Sequence, residues 1–399
     1  MTETVVQRRP RNRKQLIIAA AARQFERRGF HDAAIADIAA DVGITGPALY
    51  RHFRGKQDLL AAAVEFEIEQ LEATYGGPRH ALGEMLEDAV ATALRQGRAS
   101  ALWERNQAYL DPPGRDTLRE RYERALRPLH EAIAAARPDL EEPAVAMLAG
   151  GAHAVVSSNP MFSRRKLDHT RARMLMVEAA AAVCRIEELP AVERAMSSRD
   201  EPRGRIMPAA RREAILAAAV TLFAERGYQA VGMDDIGTAA GITGPTLYHH
   251  FPGKSAILVT VITRCLDALY FDVSGALSGT DDSAAALDSA LASFVRINVE
   301  HGDALSALLT EVVNVPEDER APIRRLQHDY ASEWVALLTR VRPDLTGPEA
   351  EALSRTAQSV INRMRRQLPG PPEDVRIQLS SLGAAVLGLP GPSGTEQHR

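Results

Sequence analysis

Apolar positions recur along the chain at helical spacing. Ile17, Ala21 and Phe25 stand at i, i+4 and i+8 of a stretch from about 12 to 28, one face of an amphipathic helix, and Gly29 ends it. A short helix is predicted over about 35–42, with Ile35, Ile38 and Ala39 facing inward, and Gly43 breaks it. A third follows over about 46–52, and a fourth runs from Lys56 to about Thr74. The same order returns with Ile215, Ala219, Phe223, Gly227, Ile236, Gly241 and Lys254. Ala- and Leu-rich stretches at about 80–96, 115–136, 141–158 and 168–186 predict further helices. Their counterparts lie at about 282–300, 303–313, 319–341, 347–366 and 373–387. Pro112-Pro113, Pro138, Pro160, Pro316, Pro343 and Pro369 punctuate them. The expected fold class is all-α.

The return of the pattern is a duplication. A shift of 198 residues aligns residues 13–60 with 211–258, with 22 identities in 48 positions. GITGPALYRHF at 43–53 recurs as GITGPTLYHHF at 241–251, differing only at 48 against 246 and 51 against 249. Ser100-Ala101-Leu102 recurs as Ser306-Ala307-Leu308, and Arg137-Pro138-Asp139-Leu140 as Arg342-Pro343-Asp344-Leu345, so the whole unit is repeated. A period near 200 residues makes each repeat a domain-sized piece rather than a solenoid turn. EELPAVERAMSSRDEPRGR, 187–205, reads as a linker that could span at most ~65 Å when extended. The last twelve residues are expected to lie outside the fold.

Charge sharpens this picture. The chain of 399 residues has a net charge of −4, which argues against a polyanion binder until its distribution is considered. Residues 8–56 hold eleven basic and four acidic residues, and residues 203–254 hold six and four. Positive charge gathers at the starts of the two halves, the footprint of a nucleic-acid binder. Cys184 and Cys265 cannot make a disulfide framework or a cysteine-rich zinc site, and read as two small buried thiols. The basic N-terminus has no apolar run behind it and no segment holds ~18 continuous apolar residues, so neither a signal peptide nor a membrane span is expected. A cytoplasmic protein is the expectation.

A helix-turn-helix needs a small residue where two short helices touch, a glycine that reverses the chain, and an apolar anchor on the second helix. Ala39, Gly43 and Leu49 fill those places, and Gly237, Gly241 and Leu247 fill them again. Thr45 and Thr243 can cap the next helix through their hydroxyls. Pro47 and Pro245 fall in its first turn, where a missing N–H does no harm. Gly46 and Gly244 leave backbone open at its start, where free N–H groups favour a phosphate.

These two runs, 13 to about 60 and 211 to about 258, resemble the N-terminal DNA-binding domain of the TetR family of bacterial transcriptional regulators. The family pattern of Gly-Val/Ile-Ser/Thr, Leu-Tyr-x-His-Phe and a following Lys is met in both. The resemblance implies an all-α chain of two tandem units. Each would be a three-helix DNA-binding domain (11–60; 208–258) followed by a helical ligand-binding and dimerising domain (61–190; 259–390), joined by a linker at 191–207. The two units would form an intramolecular pseudo-dimer. It resembles the tandem-repeat TetR-type regulators of actinobacteria.

The resemblance places Thr45, Gly46, Pro47, Ala48, Tyr50, Arg51 and His52 at the major groove and Lys56 on a phosphate. In the second unit it places Thr243, Gly244, Pro245, Thr246, Tyr248, His249 and His250 likewise, with Lys254 on a phosphate. Phe53 and Phe251 read as core, and the arginines of the 8–14 arm as minor-groove or phosphate contacts. Ala34 and Gly232 stand where the family often has a phosphate-binding Ser or Thr, so that contact is expected to be absent. Gly237 replaces the usual Ala and is expected to loosen the second motif. Ala48 with Arg51, and Thr246 with His249, share a face of a short helix. Arg51 could read guanine bidentately or hold phosphate, and the Thr246 methyl could meet a thymine methyl.

Rival chemistry is thin. Pro252-Gly253-Lys254-Ser255 lacks the upstream glycine of a P-loop, since Tyr248 stands there. His249 and His250 are adjacent and make a poor metal pair. No nucleophile elbow or dinucleotide fingerprint occurs. No catalytic residue, metal site or cofactor is therefore expected. The expected function is a sequence-specific, ligand-responsive repressor on an asymmetric double-stranded DNA operator. The alternatives are a non-specific DNA-binding scaffold or an enzyme with a vestigial motif. An apolar or acyl effector is favoured by the Leu, Ala, Val and Met of 80–186. Further association of two chains stays open.

Overall fold

The computed structural model describes residues 13–77, 81–96, 102–163, 167–187 and 208–390. Most of the basic arm, most of the linker and most of the tail lie outside the described residues. The first copy forms α1 (Arg13–Asp32), α2 (Ile35–Asp41), α3 (Gly46–Leu49), α4 (Lys56–Tyr75), α5 (Leu82–Gln96), α6 (Leu102–Asn106), α7 (Pro112–Ala136), α8 (Glu142–Ser157), α9 (Asn159–Ser163) and α10 (His169–Cys184). The second forms α11 (Arg211–Arg226), α12 (Met233–Ala240), α13 (Gly244–His250), α14 (Lys254–Gly279), α15 (Ser283–Thr310), α16 (Glu317–Val341), α17 (Gly347–Arg365) and α18 (Pro372–Leu387). No strand occurs among the described residues, and no helix there is long and apolar enough to cross a membrane.

The all-α class is as expected, with local differences. Helix α1 continues to Asp32, but Gly29 within it has φ 77 and ψ 171, so the break falls where glycine was expected to place it. Helix α3 stops at Leu49 instead of 52. The expected helices over 282–300 and 303–313 are one run, α15, kinked at His301. The five-residue helices α6 and α9, and the 3-10 turns Gln107–Tyr109 and Val312–Asn314, are too short to show a hydrophobic period.

The chain divides into two compact units. The first gathers residues to Gly76 with 100–127, and the second gathers 77–99 with the chain from Pro128 onward. In the first, α1 packs on α2 and α4, with α6 against α1 and α4. Ile17, Phe25, Ile38, Leu49, Phe53 and Leu60 form the buried core of its helix-turn-helix. Arg121 of α7 grips Glu72 of α4 through two bonds of 2.9 and 3.0 Å and reaches Glu65 at 3.0 Å.

In the second unit α14, α15 and α16 pack on one another, and α11 rests on α12 and α15. Phe294, Tyr330 and Trp334 meet in that core, with ring centroids 6.0 and 6.3 Å apart. Cys184 and Cys265 are buried, and burial pushes both thiols up to about 12, as small inert core residues.

Helices of both copies meet inside this second unit. From the first copy, α8 packs on α17 and α10 on α18. The approach is close at Gly151, where a Cβ would sit 2.7 Å from Leu382 Cδ2 and 3.0 Å from Val183 Cγ1. The repeated Arg-Pro-Asp-Leu motif finds its reason nearby. Arg137 donates to the carbonyls of Cys184 and Ile186, closing the C-terminal end of α10, while its fork holds Asp139. Arg342 does the same for α18 through the Leu387 carbonyl and Asp344. Cations suit helix C-termini, whose last carbonyls lack partners.

Ion pairs join the copies here: Arg171 reaches Glu349 and Asp344, and Arg342 reaches Glu178. Arg171 Nε lies 2.7 Å from Oε1 of the buried Glu349, whose other oxygen accepts from the Thr346 amide and hydroxyl at 2.6 and 2.8 Å. Burial alone would raise the Glu349 carboxyl. The Thr346 amide, Arg171 and the Thr346 hydroxyl more than offset it and hold the group below its ordinary value of 4.5. A depressed carboxylate stabilises the fold at neutral pH, and that contribution fades as pH falls through its folded-state value. Glu349→Gln is therefore expected to unfold more easily than the parent by about 1–2 kcal/mol at pH 7. The gap should close in strong acid, as read by urea titration across pH. A gap independent of pH would show that charge at Glu349 is not the cause.

Candidate nucleic-acid interface

Each helix-turn-helix is built on one backbone device. Gly43 and Gly241 take φ 66 and 65, a left-handed turn open to glycine. The next amide returns to the preceding helix: Ile44 N bonds Ala39 O at 2.9 Å, and Ile242 N bonds Gly237 O at 2.8 Å. At Gly237 the second turn comes close to the backbone. A Cβ there would stand 3.0 Å from Ile242 O and 3.4 Å from Leu247 Cδ2, so the second turn is packed tightly against it. Leu49 and Leu247 are buried anchors, and Phe53 and Phe251 close the short helices from below.

What remains faces outward. Thr45, Pro47, Tyr50, Arg51 and His52 are exposed, with Gly46, Ala48 and Lys56 half-buried. In the second copy Thr243, Pro245, Tyr248 and His249 are exposed, and Gly244, Thr246, His250 and Lys254 half-buried. Tyr50 and Tyr248 are each 54% exposed, large rings left in solvent at matching positions. The two copies thus present one layout of turn, half-buried small residue, exposed ring and exposed cation or imidazole.

The sequence pattern of the bacterial regulatory proteins, tetR family, matches residues 17–63 and again 215–261. Each copy thus carries a segment matching the TetR-family DNA-binding pattern. It is 37% identical over 123 residues to the transcriptional activator FasR of Mycolicibacterium smegmatis, covering 31% of this chain and 52% of the relative. It is 32% identical over 130 residues to the transcriptional repressor KstR2 of Rhodococcus jostii, covering 32% and 63%. The chain thus spans between half and two thirds of the length of these curated relatives. Among solved structures, the ketosteroid transcriptional regulator KstR2 of Mycobacterium tuberculosis aligns at 24% identity and a TM-score of 0.41, over 45% of this chain and 95% of that one.

Within this TetR layout some expected roles change. Thr45 and Thr243 occupy the N-cap positions of α3 and α13, but neither hydroxyl caps its helix. The Thr243 hydroxyl instead pairs with that of Thr246 at 3.1 Å. Lys254 is drawn inward. Its ammonium donates to the carbonyls of Tyr228, Gln229 and Val231 at 2.9, 3.2 and 2.9 Å and lies 4.5 Å from the Tyr228 ring centroid. Those three bonds use all three donors of a lysine, so Lys254 ties the α11–α12 turn to α14. Lys56 lies 5.1 Å from the Phe30 ring centroid, the matching aromatic of the first copy. Lys254→Met is expected to lower stability by about 2 kcal/mol. Its effect on the salt dependence of DNA binding should be nil; a slope reduced by about one unit would restore it to phosphate contact.

Sequence reasoning missed how each head is seated. Phe30 stacks on Tyr109 at 5.1 Å, and Gln57 donates to the Tyr109 carbonyl at 3.2 Å. In the second copy Gln229 donates to Asn314 at 3.0 Å. The seats are the two 3-10 turns, which carry no periodic signal. The cations at the second position of α1 and α11 were also missed. Lys14 lies 5.8 Å from the Phe53 ring centroid, and Arg212 4.2 Å from that of Phe251. Their signal was the retained basic pair Arg13-Lys14 and Arg211-Arg212.

Proposed function

We propose that the protein is a sequence-specific DNA-binding transcriptional regulator, a ligand-responsive repressor whose two heads read the unlike halves of an asymmetric operator. The observation that carries this reading is the pair of outward faces on α3 and α13, alike in frame and unlike at the reading positions. Thr45, Gly46, Pro47, Ala48, Tyr50, Arg51 and His52 would meet one half-site. Thr243, Gly244, Pro245, Thr246, Tyr248, His249 and His250 would meet the other. Half-sites of helix-turn-helix dimers lie about one DNA turn or a multiple apart. The packing of α8 and α10 on α17 and α18 supports an intramolecular pseudo-dimer, so that one chain supplies both heads. The layout proposed from the repeat, with heads at 11–60 and 208–258 and helical domains at 61–190 and 259–390, accompanies this reading.

An effector would act by changing the spacing of the heads, a shift between two shapes. Such a change removes the protein from DNA, which favours the repressor sense. The Leu, Ala, Val and Met of 80–186 support an apolar or acyl effector.

The test is a footprint and a titration on DNA from the chain's own upstream region, against random DNA, at two salt concentrations. Specific binding at both, with two unlike half-sites, is expected. Equal affinity for both DNAs would leave only phosphate binding and sink the reading. Exchanging the reading pair, Ala48→Thr with Arg51→His, should move preference toward a more symmetric site.

A further inference from the structure

The two reading helices differ in how they are held. Helix α13 spans seven residues, Gly244 to His250, whereas α3 spans four, Gly46 to Leu49, followed by turns. Both ends of α13 carry a tie. At its start the Thr243 and Thr246 hydroxyls pair; the first copy has Ala48 at that place and cannot form this bond. At its end the Arg212 Nη1 donates to the His250 carbonyl at 3.2 Å while its guanidinium lies over Phe251 at 4.2 Å. A planar guanidinium can stack and donate at once, which a lysine cannot reproduce. Lys14, at the matching place, lies 5.8 Å from Phe53 and lines an open groove of about 420 Å³ shared with His52 and with Thr117 and Leu118 of α7.

The first turn of α11, which carries Arg212, is itself fixed. Glu213 receives two bonds from Arg264 of α14, at 2.6 and 3.0 Å. The first copy has Gln15 and Phe66 at those places, where this ion pair cannot exist. The first head has a different tie, from Gln24 to Asp41 at 2.7 Å, but it joins α1 to α2 and does not reach the reading helix.

We infer that Arg212 is a positioning residue for DNA recognition, braced from α14 through Glu213, and that it makes the second head the pre-set anchor while the first head completes its helix on the DNA. The inference rests on the DNA-reading role proposed above, and its first measurement does not depend on that role. Amide exchange on the free protein should be slower over residues 244–251 than over 46–53, by roughly fivefold or more. Arg212→Lys should bring the second segment to the level of the first. Lys14→Arg should slow exchange in the first.

On DNA, Arg212→Lys keeps the charge. It should weaken binding roughly fivefold, confined to one half-site of the footprint, with the salt dependence unchanged. Lys14→Arg should strengthen protection of the other half-site, a gain that damage to the fold would not give. Equal exchange of the two segments, or an Arg212→Lys protein that exchanges like its parent, overturns the inference. So does a salt slope reduced by about one unit in Arg212→Met, which would make the arginine a phosphate contact. If exchange behaves as expected and no specific DNA binding is found, the failure belongs to the functional reading and the bracing stands.

Discussion

Tyr50→Ala and Tyr248→Ala together are expected to weaken operator binding about 100-fold, with each single change near tenfold and the melting temperature nearly unmoved. Both rings follow a buried leucine anchor and are half in solvent, so truncating them removes no core packing. Their value lies in what they could touch: a flat ring with a hydroxyl at the end of a short helix suits a sugar or phosphate oxygen. The single changes need not be equal. If α13 is pre-set and α3 is not, Tyr248→Ala should cost more than Tyr50→Ala. Gel-shift titration of both variants, beside thermal melts, decides the matter. A melting point lowered by several degrees would mean that the rings hold the heads together instead.

Gly151→Leu carries the second large effect. The site has no room: Leu382 of α18 and Val183 of α10 already stand within 3.0 Å of where a Cβ would be. A leucine must push Leu382, and with it α18 of the other copy, or displace Val183 of its own copy. Overpacking of this kind costs about 3 kcal/mol and should lower Tm by roughly 5 °C. On the pseudo-dimer reading proposed above, operator affinity should fall at least tenfold, because two heads that no longer act together lose the advantage of binding as one body. Gly275→Ala is the control. Nothing lies within 4 Å of a Cβ at Gly275 on α14, and helix propensity favours the change. A Gly151→Leu protein that binds its operator like the parent would show that the packing of α8 and α10 on α17 and α18 has no part in setting the heads.

Much of this was legible in the chain. The helix-turn-helix frame was readable because its parts sit at fixed short spacing: Gly43 and Gly241 for the turn, Leu49 and Leu247 for the anchor, Phe53 and Phe251 for the floor. Helices such as α8, α17 and α18 were legible as Ala- and Leu-rich stretches punctuated by proline. The direction of a long polar side chain was not legible. Lys254 matches a phosphate-binding pattern, yet three carbonyls from the α11–α12 turn reach it first. The Thr243 hydroxyl had a backbone amide within expected reach and took Thr246 instead. Arg212 acts across 38 residues of sequence, on a carbonyl that any residue at 250 would offer, so no motif could mark it. Arg171 and Glu349, 178 positions apart, pair only because the copies fold onto each other.

That last pair has a consequence beyond stability. In a symmetric assembly of two identical chains every interface contact occurs twice, and every mutation is felt twice. Here the residue corresponding to Glu349 in the first copy is Ala144, so the bridge is made on one side only. Each half of the interface is free to change on its own, as the two reading faces have done. A contact within one chain also does not dissociate on dilution. The packing of α8 and α10 on α17 and α18 therefore persists at the few molecules per cell at which an interface between two chains would come apart.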